Sequence, residues 1–151
     1  IQLDNGCELM CYHLRNSKDE TSPYSSGTFV DENGNVTRLR TEDFTIEPTD
    51  HWTSPNTNAT YPAGWAIKVL KIELDLRVAP IFRDQELDTR GTTMIVYWEG
   101  ACRVRGTAAG NSVKGKAYAE LVGYDRSHES PNLAFFLFGN PRDILPNIGF
   151  N

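Results

Sequence analysis

Glu99 and Glu120 are the residues of this sequence whose type and spacing most readily do chemistry. They stand with Tyr97 and Tyr118 in residues 92–125, TTMIVYWEGACRVRGTAAGNSVKGKAYAELVGYD. Two strands paired about a turn at 108–111, apolar face against apolar face, bring the glutamates directly opposite or one diagonal apart. Two carboxylates in one enclosed site force one to stay protonated near neutral pH, which makes it a proton donor. Adding water to an isolated alkene needs such a donor, with aromatic faces to steady the carbocation. A pericyclic reaction needs only shape, an apolar wall and a hydrogen-bond donor such as Tyr118 or Tyr97. On an open surface the same glutamates are ordinary solvated side chains, salt-linked to Arg77, Arg103 or Lys116. The chemistry therefore predicts an enclosed Tyr97–Glu99–Tyr118–Glu120 face.

That face must be positioned by two long strands. On the first, Met94, Val96, Trp98, Gly100, Cys102 and Val104 alternate with Tyr97, Glu99, Ala101, Arg103 and Arg105. On the second, Val113, Gly115, Ala117, Ala119 and Leu121 alternate with Lys114, Lys116, Tyr118, Glu120, Val122 and Tyr124. Gly110-Asn111 supplies the positive φ of the turn.

Upstream the chain reads as further short strands. Asp4-Asn5-Gly6 is a hairpin turn between residues 1–3 and 8–15, and the second piece is half apolar on both faces, as in a strand covered on both sides. Residues 27–30 and 36–40 form a hairpin about Asp31-Glu32-Asn33-Gly34-Asn35, followed by a strand at 43–47. Residues 51–64, HWTSPNTNATYPAG, are a long connection whose Trp52 and Tyr61 either pin it to the domain or cover a ligand. Strands at 65–70 and 72–79 follow, then a polar segment at 82–87 whose acids read as ligands or caps or, more commonly, as local turn hydrogen-bonding groups. No segment carries a sustained helical period, so the class is all-β, an antiparallel sandwich or barrel. Residues 133–138, LAFFLF, suit a last strand or packed segment, and 142–150 an irregular apolar arm.

The chain is 151 residues, one domain's worth, with 39% hydrophobic and 23% charged residues and a net charge of −5. No basic stripe exists to neutralise phosphates, so no nucleic-acid partner is expected. The longest apolar run has six residues and excludes a spanning helix. Cys7, Cys11 and Cys102 lack metal-ligand spacing, and as free thiols favour a reducing compartment. The sequons Asn35-Val36-Thr37 and Asn58-Ala59-Thr60 acquire meaning only in a secreted protein. There is no Gly-x-Ser-x-Gly, and His13, His51 and His128 fall in no triad order. No metal and no cofactor are called for.

Several phrases together resemble one family: Leu3-Asp4-Asn5-Gly6 with Glu8-Leu9-Met10, Asp43-Phe44, Trp52-Thr53-Ser54-Pro55, Tyr61-Pro62, Trp65, Asp84-Gln85-Glu86-Leu87, Tyr97-Trp98-Glu99-Gly100 and Tyr118-Ala119-Glu120-Leu121-Val122-Gly123-Tyr124. The sequence is similar over residues 1 to about 124 to carotenoid 1,2-hydratase-like proteins, also called hydroxyneurosporene synthase-like and often labelled predicted secreted hydrolases. The resemblance implies a lipocalin-like, calycin-like antiparallel β-barrel, with residues 1–151 as the C-terminal of two such domains and an N-terminal lipocalin-like domain as partner. It implies a long, apolar, polyunsaturated small-molecule ligand. The activity implied is that of a hydratase (a lyase) or a cyclase, with a Diels–Alderase-type pericyclase, a hydrolase and a non-catalytic lipid or pigment carrier as alternatives. In this reading Glu99, Glu120, Tyr118 and Tyr97 are the catalytic candidates, and Trp52, Trp65, Trp98 and Tyr124 line the ligand.

Overall fold

The computed structural model describes residues 1–16 and 20–125. In chain order the strands are β1 (Gln2–Leu3), β2 (Glu8–Tyr12), β3 (Ser26–Val30), β4 (Val36–Arg40), β5 (Phe44–Pro48), β6 (His51–Thr53), β7 (Thr60–Pro62), β8 (Trp65–Val69), β9 (Leu74–Pro80), β10 (Glu86–Asp88), β11 (Val96–Ala108) and β12 (Asn111–Val122). Two single-turn 3-10 helices, Thr41–Asp43 and Leu70–Ile72, are the only helical elements among the described residues. No helix among them is long and apolar enough to cross a membrane.

Every strand pairing is antiparallel, and one sheet runs in the order β4-β3-β2-β1-β12-β11-β9-β8-β5, with β10 added on β11. The sheet curls into a nearly closed, lipocalin-like barrel. The two edges, β4 and β5, are neighbours in sequence, joined by the first 3-10 turn. Lys71 Nζ bridges this seam, donating to the Arg38 carbonyl at 3.2 Å and to Asp43 at 2.9 Å. Inside it, His13 beyond β2 stacks on Phe44 of β5 at 5.3 Å.

Alternation decides what fills the barrel. Leu9, Leu39, Val69, Leu76, Trp98 and Val104 are all at most 2% exposed. Their neighbours along each strand point outward, because successive side chains leave a strand on opposite faces.

The β11–β12 hairpin has the central expected register, pairing Trp98 with Leu121, Glu99 with Glu120 and Ala101 with Tyr118. Its turn differs from expectation by one residue. The positive φ angles fall on Ala109 (48°) and Gly110 (77°), as a two-residue turn matched to strand twist requires. Met94 does not join the inward row: it lies before β11, in a turn at φ 61°, and is exposed.

Three other expectations change. The segment 8–15 is not covered on both sides, since Met10, Tyr12 and Leu14 are 54%, 39% and 48% exposed on the outer face. The 51–64 connection holds its own sheet, β6 against β7, with Trp52 paired to Tyr61. The polar segment 82–87 ends in β10, which adds a strand to β11. Residues 133–138 and 142–150 lie outside the described residues.

Candidate functional site

The alternation that builds β11 separates the candidate residues into two groups. Trp98 is fully buried inside the barrel, whereas Tyr97 and Glu99 on either side of it project from the outer face. Trp65 and Trp98 meet edge to face at 6.0 Å in the interior. A ligand lying on these indoles is therefore divided from Glu99 and Glu120 by the thickness of the sheet.

On the outer face the structure does bring three of the four catalytic candidates together. Glu99 and Glu120 are direct cross-strand partners, and Tyr118 stands on the diagonal from Glu99. Desolvation, then the Glu99 charge and hydrogen bond, then the Glu120 charge, hold the Tyr118 phenol above its ordinary pKa. Tyr97, opposite Val122 and Leu87, is half-buried and stands one pair further along. The expected enclosure is absent: Tyr118 is 67% exposed and Glu120 is exposed. Glu99 and Tyr97 on the same face are half-buried.

The ligand-lining candidates converge at one end of the barrel. Trp52 stacks on Tyr61 at 6.1 Å, and Tyr61 meets Tyr124 at 5.4 Å. The Arg15 guanidinium lies 4.1 Å over the Tyr124 ring. By strand periodicity Tyr124 shares a face with Glu120. The chain instead leaves β12 at Val122, and Gly123, at φ 80°, redirects it so that Tyr124 reaches Tyr61. The rim of this cluster is half-open, with Trp52 and Tyr124 partly exposed, while Tyr61 is fully buried.

At the centre of this end sits an acid of the 82–87 segment that makes long-range hydrogen bonds and not the local turn bonds expected of it. Glu86 of β10 pairs with Trp98, so its side chain shares the inner face. Its carboxylate accepts three hydroxyl hydrogen bonds: from Ser54, from Thr57 at 2.6 Å and from Tyr61 at 3.1 Å. Ser54 Oγ also accepts from the backbone of Asn56 and Thr57, and Thr57 Oγ1 from that of Ala59, so the loop is wound around its own donors. Burial, then the charge of Glu86 and the hydrogen bond to it, push the Tyr61 phenol far above its ordinary pKa, so it stays a neutral donor. Arg83 completes the attachment by pairing with Asp50 and donating to the His51 carbonyl at 3.1 Å, while its own carbonyl accepts from Trp98 Nε1 at 2.7 Å. Trp52 and Tyr61 thus pin the long connection to the barrel. The signals for Glu86 in the sequence were the density of Ser and Thr in a loop of two aromatics and, some thirty residues on, the acidic stretch Asp84-Gln85-Glu86-Leu87-Asp88.

The seam also carries a recess of about 860 Å3 between β3, β4 and the first 3-10 turn. Arg38, Arg40, Glu42, Asp43 and Lys71 line it together with Pro23, Tyr24 and Leu39, so charged and apolar groups share its wall.

The AttH-like family model matches residues 1–124. Of the solved structures, an AttH of Nitrosomonas europaea superposes with a TM-score of 0.71 at 30% identity, over 81% of this chain and 36% of that one. Kievitone hydratase from Nectria haematococca superposes with a TM-score of 0.63 at 18% identity, over 78% of this chain and 35% of its own, and at that identity shows a shared fold. The chain spans about a third of the length of both. No curated protein matches it. Matched over residues 1–124 by the family model, this chain belongs to the AttH-like family.

Proposed function

We propose that the domain receives a long, apolar, polyunsaturated ligand at the aromatic end of the barrel, and that hydration or cyclisation of that ligand is carried out with an N-terminal lipocalin-like domain. The observation that carries this reading is the convergence of Trp52, Tyr61 and Tyr124 beside Trp65 and Trp98, with the Glu86 carboxylate among them. Aromatic faces and a carboxylate are what a developing allylic cation needs around it. Tyr61, a buried phenol kept neutral, is a hydrogen-bond donor at the same place. The kinship in fold with kievitone hydratase agrees with hydration as the reaction class.

Glu99 and Glu120, with Tyr118 and Tyr97, remain the proposed acid set for the full-length protein, on the condition that another domain covers their face. The exposure of Tyr118 and Glu120 favours a second reading for the domain by itself, a carrier that binds without turning over.

Titration with a conjugated tetraene fatty acid, read by tryptophan quenching, tests the site. Saturable quenching that weakens at least tenfold in Trp52→Ala and Tyr124→Ala is expected. Unchanged affinity in both variants removes the aromatic end as the ligand site. Turnover of candidate polyenes by the full-length protein separates the acids: binding without turnover in Glu99→Gln or Glu120→Gln identifies the donor, and full turnover in both eliminates the outer pair.

A further inference from the structure

The register of β9, β11 and β12 assembles a basic block that the linear sequence does not contain. Arg103 and Arg105 lie two apart on β11, and Lys114 and Lys116 two apart on β12, so each pair shares the outer face of its strand. Arg105 stands directly opposite Lys114 on one side and Arg77 of β9 on the other, and Arg103 stands opposite Lys116. Three strands thus place five cations in two adjoining rows, Arg77–Arg105–Lys114 and Arg103–Lys116. All five are exposed. They are five of the 15 Lys and Arg in a chain whose net charge is −5, so the block runs against the charge of the whole.

The acids around the block are engaged elsewhere or too far away. Asp75 pairs with Arg77 at 3.1 Å but is shared with Lys68 at 3.4 Å. Asp4 accepts from the Lys114 backbone amide at 3.0 Å, and Glu8 from Gln2 at 3.4 Å. Among the described residues, Arg103, Arg105, Lys114 and Lys116 form no ion pair and no side-chain hydrogen bond. Glu99 and Glu120 lie four residues along the strands from Arg103 and Lys116. That is about 13 Å, beyond the screening length of about 8 Å at physiological salt, so the acid pair does not cancel the block. Like charges directly opposite one another weaken a ladder. Charges that keep a strand edge from pairing would justify the cost, but all three strands are interior, with partners on both sides.

The next row carries apolar surface. The Ile81 amide donates to the Ala101 carbonyl at 3.0 Å, and Ile81 and Phe82 are 48% and 58% exposed beside the block.

We propose that this outer face docks the domain on an anionic lipid surface, with the five cations against the head groups and Ile81 and Phe82 at the boundary with the acyl chains. Charge complementarity selects the occupant. Each Lys or Arg that reaches an anionic bilayer strengthens binding about fivefold, and rows on one sheet face reach it together. The apolar pair distinguishes a lipid surface from a nucleic acid, whose phosphate backbone has no apolar phase to receive it. Residues 126–151 hold Arg126 and Arg142 against Glu129 and Asp143, and bring no surplus of acid to the block. The proposal stands apart from the ligand reading. The block lies toward the β11–β12 turn, away from Trp98, and the lipids that test it carry no polyene.

The test is co-sedimentation of the 151-residue chain with vesicles of dioleoyl phosphatidylcholine, alone and with about 30% dioleoyl phosphatidylserine. The expected result is binding to the mixed vesicles only, weakened about tenfold or more in Arg105→Gln/Lys114→Gln. Arg38→Gln/Arg40→Gln, which removes the same charge from the seam, should bind as the parent does, and so should the charge-conserving Arg105→Lys/Lys114→Arg. Phe82→Ser should weaken the binding that persists at high salt. Relief of an opposed pair keeps the Tm of Arg105→Gln/Lys114→Gln at or above the parent value, so its loss of binding is not loss of fold. No binding by the parent, or equal loss in the two glutamine variants, overturns the proposal. Tighter binding to a short DNA duplex than to the vesicles, indifferent to Phe82→Ser, overturns it in favour of a nucleic acid. A vesicle-free dimer of the parent that Arg105→Gln/Lys114→Gln makes monomeric overturns it in favour of a second copy of this chain.

Discussion

Glu99 stands directly opposite Glu120 across the β11–β12 ladder, two acids of like sign on the outer face of the longest hairpin. Tyr118 stands diagonal to Glu99, but the charges face each other with Glu120 exposed to solvent. Like charges in this relation are destabilising by about 0.2–1 kcal/mol. Glu120→Lys is expected to stabilise the isolated domain by a few tenths of a kcal/mol on this scale. Urea unfolding at low and high salt measures it, and the gain must shrink at high salt if it is electrostatic.

Glu86 ties the β6–β7 hairpin to the barrel through three hydroxyls. Removing a partner so that buried donors go unsatisfied costs about 1–3 kcal/mol, whereas losing one hydroxyl costs about 1 kcal/mol. Glu86→Ala is therefore expected to destabilise more than Tyr61→Phe. Glu86→Ala should also release the 51–64 segment to proteolysis at a temperature where the rest of the barrel is intact. Equal proteolytic resistance of Glu86→Ala and the parent would count against the anchoring role.

The β11–β12 turn holds Ala109 at φ 48°, a conformation in which a Cβ crowds the following carbonyl. Left-handed backbone costs an L-residue roughly 1–2 kcal/mol relative to glycine. Ala109→Gly, measured by thermal unfolding, is expected to raise Tm with no change in register, and Ala109→Val to lower it.

Burial pushes the thiols of Cys11 and Cys102 up to about 11 from the ordinary thiol value of 9.0. The folded protein holds these protons after the unfolded chain has released them. The stabilisation is thus complete below pH 9 and is lost as pH rises toward 11. Chemical denaturation across this window should show stability falling in the parent and falling less steeply in Cys102→Ala. Cys102, only 1% exposed, should also resist thiol reagents at pH 8 until the chain unfolds.

Alternation carried most of the fold. The paired apolar faces of residues 92–125 dictated the register, and the Asp-Asn-Gly and Asn-Gly turns placed the early hairpins. The misplaced features depend on what alternation does not encode. Tyr124 was assigned to the face of Glu120, and one glycine at φ 80° put it inside. Outward residues on β2 looked buried because Met, Tyr and Leu are apolar, yet their exposure depends on the neighbouring strand. Glu99 and Glu120 were found as a pair because the hairpin is local. Glu86 escaped because its hydroxyl partners at Ser54, Thr57 and Tyr61 meet it only through β10 and a separate two-stranded sheet. Long-range convergence of short polar side chains leaves no period to read.

β1 also bears on how the chain reaches this state. The β11–β12, β3–β4 and β8–β9 ladders join strands close in sequence, while Gln2 must find Lys116 across nearly the whole described chain. Loop closure of that span is entropically unfavourable, and only two residues of pairing offset it. Hairpins, β1–β2 among them, will form first, and the β1–β2 pair will dock on β12 last. Until it does, the long edge of β12 is a bare template for any passing strand, and the folding chain is most prone to aggregate at that step.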